Sequence, residues 1–453
     1  MVNLYTDLCA QLLFPLHEAL KGHDSVARLR LLERSQWLAP AELQALQLAR
    51  LRDFLCDVGR HVPYYRQLFK ELGFDPAALQ SLADLEKLPR LDKPLIRAHQ
   101  DALKAEDHGV LSRYNTGGSS GEPLIFYMGK ARKSHDVAAK WRATRWWNVD
   151  IGDPEIVVWG SPIELGAQDR VRRLRDGLMR SHLLPAFEMS EAKLDAFVAD
   201  IRRIRPAMLF GYPSSLSLIA AHAMKRGVSM RDLGIRVAFV TSERLYEEQR
   251  RLISEAFACP VANGYGARDA GFIAHQCPAG SLHISAEDMI VETLDPQGQP
   301  VAEGEIGEIV VTHMATRDFP FIRYRTGDMG VLGSQACSCG RGLPVLKEVH
   351  GRSTDFVVAQ NGTIMHGLAL IYTVRDLPGV EKFRIEQLSL DHTQVQVVRN
   401  AEFDPAGVQR IEDDFRRRLG AAVRVEVLLV DDIPAEASGK FRYVISRVKA
   451  FAS

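Results

Sequence analysis

The sequence predicts an α/β protein built as a large N-terminal domain, residues 1–350, followed by a small α+β domain, residues 351–453. Three observations lead there. The length of 453 residues exceeds one comfortable hydrophobic core. Strand-like apolar runs alternate with helical patterns from Leu111 to Val349. A break at Gly351-Arg352-Ser353 then gives way to a segment of different rhythm.

Residues 1–110 read as mostly helical decoration of the large domain. Leu8 to Leu16 suits an amphipathic helix, since Gln11 interrupts it and Asp7 precedes it, which makes a weak signal peptide. Ala41 to Gly73 carries apolar residues at helical spacing, interrupted at His61-Val62-Pro63, and Asp75-Pro76 opens a new turn. Leu88-Pro89-Arg90-Leu91-Asp92-Lys93 is a linker into a capped helix start. Buried strands are expected at Glu155–Trp159, Ala207–Gly211, Val237–Thr241 and Glu308–Thr312, with helices such as Glu191–Ile204 and Tyr246–Phe257 between them. That alternation argues for a largely parallel sheet. The small domain reads strand, helix, strand, strand, helix, strand, including Phe383–Gln387, Gln394–Val398, the helix Pro405–Leu419 and Arg424–Val430.

Composition narrows the function classes. Lys+Arg and Asp+Glu both number 57, so the basic excess of a nucleic-acid binder is missing. No run approaches the roughly 20 apolar residues of a spanning helix. Six cysteines in so long a chain do not make a disulfide scaffold, which points to a reduced, cytoplasmic protein.

The chemistry-bearing residues fall in five short segments. Asn115-Thr116-Gly117-Gly118-Ser119-Ser120-Gly121 precedes the strand-like Leu124-Ile125-Phe126-Tyr127. Its glycines let backbone N–H groups approach a polyphosphate and its hydroxyls donate to phosphate oxygens. It is not a P-loop, because no Gly-Lys-Ser/Thr follows, and such a loop alone is more often a plain flexible connection. The others are Asn263-Gly264-Tyr265-Gly266-Ala267-Arg268-Asp269, Tyr324-Arg325-Thr326-Gly327-Asp328, Gly351-Arg352 and Ser438-Gly439-Lys440.

In this order the five segments resemble the adenylate-forming superfamily of acyl-CoA synthetases, adenylation domains and luciferases. Within it, the phenylacetate–CoA ligase and CapK-like branch is most similar. It matches at His61-Val62-Pro63-Tyr64-Tyr65-Arg66, Leu88-Pro89-Arg90-Leu91-Asp92-Lys93, Phe210-Gly211-Tyr212-Pro213-Ser214-Ser215-Leu216 and Phe321-Ile322-Arg323-Tyr324-Arg325-Thr326-Gly327-Asp328. The resemblance implies a multi-sheet adenylation domain with a mobile C-terminal domain. It implies ATP-dependent activation of a carboxylic acid, aryl or arylacetic by preference, as acyl-AMP, followed by transfer to coenzyme A. Acceptors of a second kind, a carrier-protein thiol or an amine, occur among relatives, and a degenerate member that only binds nucleotide is a third reading. Homodimers are common in the branch.

Residue by residue, the resemblance implies that Thr116, Gly117, Gly118, Ser119, Ser120 and Gly121 hold the β- and γ-phosphates of ATP. Ser242-Glu243 takes the adenine-side place, and Tyr265 with Gly266 lies against adenine. Asp269 stands where the family usually has a glutamate serving Mg²⁺, one methylene short. Asp328 accepts from the ribose hydroxyls and Arg352 contacts ribose or phosphate. Lys440 stabilises the charge of the transferring carboxylate and α-phosphate. Thr354 replaces a frequent hinge aspartate, with Asp355 next to it.

A metal site is also legible. Cys277 and His283 form one short pair and Cys337-Ser338-Cys339 another, a credible closed Cys₃His zinc centre. His275 is the alternative fourth ligand, and four reduced residues without metal are the plain alternative. The arginines of Arg170–Arg180 and Arg416-Arg417-Arg418 read as solvated helix faces. Trp141, Trp146 and Trp147 serve equally as acyl-pocket lining or packing. Cys9, Cys56 and Cys259 read as buried small apolar residues.

Overall fold

The computed structural model describes residues 4–116, 124–159, 170–186, 189, 191–352, 356–362, 364–366, 368–434 and 442–448. Near the N-terminus, proline sets the helix boundaries. The helix Pro40–His61 ends at Val62, whose extended backbone precedes a second helix opening on Pro63 (Pro63–Leu72).

Strands β1 (Ser112–Asn115) and β2 (Ile125–Met128) pair as an antiparallel hairpin. The strands β3 (Glu155–Trp159), β4 (Ser181–Pro185), β5 (Met208–Gly211), β6 (Val237–Thr241) and β7 (Val261–Ala267) are parallel neighbours. From β7 the same sheet continues antiparallel through β8 (Gly271–Gln276), β9 (Leu282–Ile284), β10 (Met289–Leu294), β11 (Gly307–His313), β12 (Phe321–Gly333) and β13 (Val345–Arg352). The result is one 11-stranded sheet in the order β10-β11-β12-β13-β9-β8-β7-β6-β5-β3-β4.

The expectation of a largely parallel sheet is therefore corrected: the parallel half ends at β7. Crossover helices such as Glu191–Ile204 and Glu247–Phe257 accompany only that half. The connections β7–β8 and β8–β9 are short, three and five residues, which antiparallel pairing allows and parallel pairing does not.

Two cores follow from this division. Leu194, Ile201, Leu216 and Ile253 of the crossover helices pack on Ile156, Leu209, Ala238 and Val240. Leu51, Phe54, Leu55 and Val58 of the N-terminal helix cover Ile273, Met289, Ile309 and Val311 of the antiparallel half. The C-terminal segment has a core of its own, with Ile385, Val395, Ile411 and Phe415 at its centre. There β14 (Phe356–Val358) and β15 (Ile364–His366) form a hairpin. β16 (Val380–Ser389), β17 (His392–Arg399), β18 (Arg424–Leu429) and β19 (Val444–Ser446) make a sheet in the order β18-β17-β16-β19.

This segment docks on the large sheet's helix Glu247–Phe257. Arg375 pairs with Glu248 at 2.8 Å, and the rings of Tyr246 and Tyr443 meet edge to face at 5.4 Å. Among the described residues, no helix is long and apolar enough to cross a membrane.

Candidate active site and metal centre

The sequence motifs converge where the parallel half of the sheet passes into the antiparallel half. Tyr265 lies near the end of β7 and Asp328 near the middle of β12, yet the Tyr265 hydroxyl donates to Asp328 Oδ2 at 3.0 Å. Burial, and then the Asp328 charge, push the Tyr265 phenol well above its usual range, so it remains a donor. Asp328 is half-buried, and its carboxylate keeps acceptor capacity after this bond. Asp328 also faces Arg352 across the β12–β13 ladder.

Gly266 permits the hairpin that returns Asp269 to the same place. A Cβ there would stand 2.3 Å from the Gly271 carbonyl oxygen. Asp269 is buried; Tyr324 donates to its Oδ2 at 2.5 Å and the Ala270 N–H to its Oδ1 at 3.1 Å. The shorter aspartate is thus anchored inward while retaining lone pairs for a water-mediated ligand.

Ser242 follows β6 with φ of +72°, a left-handed conformation that a non-glycine residue adopts only when its surroundings impose it. The Glu243 carboxylate next to it accepts the Ser214 N–H at 3.2 Å, at the start of the helix Pro213–Lys225. Thr116 closes the neck of the glycine-rich loop. Its N–H donates to the Leu124 carbonyl and its Oγ1 accepts the Leu124 N–H, both at 2.9 Å. Arg268 reaches the Asn115 carbonyl at 3.2 Å, which ties the Tyr265 motif to that neck. Gly117, Gly118, Ser119, Ser120, Gly121, Thr354, Lys440 and the Arg352 side chain lie outside the described residues.

Sequence reasoning missed Arg132, on the helix Lys130–Arg145. It is buried, donates to the carbonyls of Asp269 and Arg268 at 3.1 and 3.3 Å, and clasps Asp136 at 2.9 and 3.0 Å. Burial alone would raise Asp136, but the Arg132 guanidinium holds its carboxyl well below the usual range. Its pair with Asp136, four residues on, looks like any ion pair of a helix surface, and its other partners are backbone atoms more than 130 positions away. Tyr324 was legible, inside a quoted motif. His135, Asp136 and His313 crowd beside Arg132, with one ligand atom of each within 4.8 Å of the others. His313 Nδ1 accepts the Ala315 N–H, so in the neutral ring the Nε2 facing Asp136 carries the proton.

Replacing Arg132 by methionine should strand the Asp136 charge, costing about 3–5 kcal/mol of stability, and loosen the Arg268–Asp269 turn. Thermal unfolding and ATP turnover, measured on the same sample, would both fall; unchanged turnover would show that the turn holds itself.

A second constellation lies beyond β8. Cys277, His283, Cys337 and Cys339 bring their ligand atoms within 4.8 Å of one another. Cys277 and Cys337 sulfurs are 3.6 Å apart, and Cys339 Sγ is 3.2 Å from His283 Nε2. A tetrahedral zinc with the usual bond lengths would set these edges at about 3.8 and 3.6 Å. Both cysteine turns are closed by a left-handed glycine: the Gly280 N–H donates to the Cys277 carbonyl and the Gly340 N–H to the Cys337 carbonyl. His283 Nδ1 donates to the Leu343 carbonyl at 3.1 Å, which leaves Nε2 free as a ligand, and burial lowers its pKa so that it stays neutral. Burial pushes the Cys277 thiol up to about 11. At Cys337 burial is outweighed by hydrogen bonds from the Ser281 hydroxyl and from Cys339, which bring it down to about 7.

His275 is corrected as a ligand. It is buried between Phe239 and Phe272, outside the cluster, and burial holds it down to about 3. Trp146 turns out to back the cluster, edge-on to His283 at 5.9 Å with Nε1 on Gln36, and Trp147 donates to the Gln276 carbonyl. Cys9 and Cys259 are buried as expected, whereas Cys56 is only half-buried.

Comparison with known proteins is consistent with this geometry. Residues 179–316 match the AMP-binding enzyme family and residues 357–447 the CapK C-terminal domain, together half of the chain. The chain belongs to the AMP-binding, adenylate-forming enzymes, in the phenylacetate–CoA ligase and CapK-like branch. Among adenylate-forming relatives, phenylacetate-coenzyme A ligase of Thermus thermophilus is 26% identical over 84% of each chain. Protein CapK of Staphylococcus aureus is 22% identical over 90% of each. A solved 2-hydroxyisobutyryl-CoA ligase, in its postadenylation state with 2-HIB-AMP, shares the adenylate-forming fold with a TM-score of 0.74, at 22% identity over 92% of each chain.

Proposed function

We propose that the protein is an AMP-forming acid–thiol ligase. A carboxylate attacks the α-phosphorus of ATP to give acyl-AMP and pyrophosphate. The coenzyme A thiol then attacks the acyl carbon, and AMP leaves. The contact of Tyr265 with Asp328 carries the reading, because it joins two motifs of the family 63 positions apart in one place. In it Asp328 accepts the ribose hydroxyls, Tyr265 and Gly266 face adenine beside Ser242 and Glu243, and the Thr116–Gly121 loop cradles the phosphates. Arg352 and Lys440 supply positive charge where two anions meet. Asp269 would hold Mg²⁺, which neutralises phosphate charge when bound.

An aryl or arylacetic acid is the favoured substrate. Trp159, at the end of β3, is half-buried and stacks on the buried Tyr212 with centroids 4.4 Å apart, beside the buried Phe210, an aromatic neighbourhood that supports this choice. A carrier-protein or amine acceptor in place of coenzyme A is the second reading. We further propose that Cys277, His283, Cys337 and Cys339 hold a structural zinc, with no position open for chemistry. Six unpaired cysteines support a cytoplasmic setting.

The test is pyrophosphate exchange with aryl, arylacetic and fatty acids, followed by AMP release with and without coenzyme A. Exchange with an aromatic acid and AMP release stimulated by coenzyme A are expected. Exchange without that stimulation would select the second acceptor reading. No exchange with any acid would leave a nucleotide-binding protein without this activity.

A further inference from the structure

One arginine lies beneath the turn after β7 and another projects from it. Buried Arg132 donates to the carbonyls of Arg268 and Asp269, at 3.3 and 3.1 Å, and fixes the backbone from the interior. Arg268 itself is exposed, and its Nη1 donates to the Asn115 carbonyl at 3.2 Å. Asn115 closes β1, one residue before Thr116, whose N–H and hydroxyl both pair with Leu124. The Arg268 guanidinium also lies within electrostatic reach of Asp269 and Tyr114. It therefore stands between the Asp269 turn and the neck of the glycine-rich segment. A bond to a neutral carbonyl orients a guanidinium and leaves its charge in place. Asp269 is turned inward, its Oδ2 taken by the Tyr324 hydroxyl and its Oδ1 by the Ala270 N–H. The outward face of the turn thus carries the cation and its buried face the carboxylate.

We propose, resting on the adenylation reading, that Arg268 binds the β- and γ-phosphates of ATP and holds the pyrophosphate as it leaves. It is then the residue by which the site distinguishes ATP from AMP. On that reading Tyr265 and Asp328 mark the nucleoside end of the site, and the neck at Thr116 marks the phosphate end. Arg268 follows Tyr265 by three residues, at most about 10 Å of extended chain, and bonds to the phosphate end.

The chemistry asks for a cation there. When the carboxylate oxygen bonds to the α-phosphorus, the bond to the bridging oxygen breaks and its electron pair leaves with pyrophosphate. A fork of guanidinium N–H donors suits that growing charge, since it can meet two phosphate oxygens at once. The acyl-adenylate has no β- or γ-phosphate, so the role of Arg268 ends with the first half-reaction. A mere tie between the turn and β1 would instead affect every ligand of the site alike.

Calorimetric titration of the full chain with ATP and with AMP separates these two roles. Arg268→Gln should weaken ATP binding about 10–100-fold, the span of a hydrogen bond to a charged group, and leave AMP binding and thermal unfolding unchanged. Arg268→Lys, which keeps the charge without the fork, should recover part of the ATP affinity. With an acid found by pyrophosphate exchange, Arg268→Gln should slow the exchange and leave thioester formation from the preformed acyl-adenylate at the wild-type rate. Equal losses for ATP and AMP, ATP affinity at the wild-type level, or a slower thioester step would each overturn the assignment of Arg268 and leave the adenylation reading standing. Wild type that binds neither nucleotide would overturn both.

Discussion

Lys440→Ala is expected to lower the rate of pyrophosphate exchange by about 10²–10⁴-fold, with the apparent affinity for ATP changing far less. Carboxylate and α-phosphate are both anions, and the charge between them peaks in the transition state. An ammonium placed there stabilises that state more than bound ATP, so its loss falls on kcat. Thermal unfolding should not move, because a lysine next to Gly439 in the segment Ala437-Ser438-Gly439-Lys440 contributes little to a core. Lys440→Arg keeps the charge with a planar head of different reach and should recover only part of the rate. Exchange at the wild-type rate in Lys440→Ala would remove this residue from the chemistry.

Most of the architecture was legible because its signals are local. The strands Glu155–Trp159 and Val237–Thr241 are short apolar runs ending at turn residues, and both stand at the expected positions. The helix Glu191–Ile204 shows a plain amphipathic period. The direction of the strands was not legible past Ala267. Parallel and antiparallel strands use the same residues, and only the lengths of their connections tell them apart. In the site, Tyr265, Asp269 and Asp328 stand out through their motifs, and the structure brings them together. Arg132 escaped because a buried arginine on a helix looks like any surface arginine until its partners fold against it. His275 misled because nearness in sequence to Cys277 is not nearness in space: His275 is still in β8, its ring against Phe239 and Phe272, whereas Cys277 lies past the strand's end in the turn closed by Gly280.

Zinc is the second large effect. Elemental analysis should find one zinc per chain, and Cys339→Ser should lose it. Removing the ion takes away the bonds that join Cys277, His283, Cys337 and Cys339, and frees the turns Cys277–Gly280 and Cys337–Gly340 from each other. A loss of about 3–5 kcal/mol would lower the unfolding midpoint by about 6–10 °C in a domain of this size. The fall should remain partial: Cys277 belongs to the same core as Leu51, Phe54 and Ile309, and Cys337 and Cys339 pack against it, but most of that core is apolar side chains whose contacts do not depend on the ion. Exchange activity should decline with temperature sooner in the variant, because β8, which carries Cys277 at its end, pairs with the Tyr265 strand. Metal-free protein with the wild-type midpoint would mean four reduced residues and nothing more.

The docking of the C-terminal segment sets how freely it can leave. A partly exposed ion pair such as Arg375–Glu248 contributes about 0–1 kcal/mol, and an edge-to-face pair such as Tyr246–Tyr443 about 0.5–1.5 kcal/mol. Their sum corresponds to an equilibrium ratio between about 2 and 70 in favour of the docked arrangement. Were these two contacts the whole of the docking energy, from about one per cent to about a third of molecules would be undocked at any moment without a ligand. On that footing the segment would be a loosely sprung latch, whose position a bound nucleotide or acyl intermediate could reset with a differential affinity of only one or two orders of magnitude.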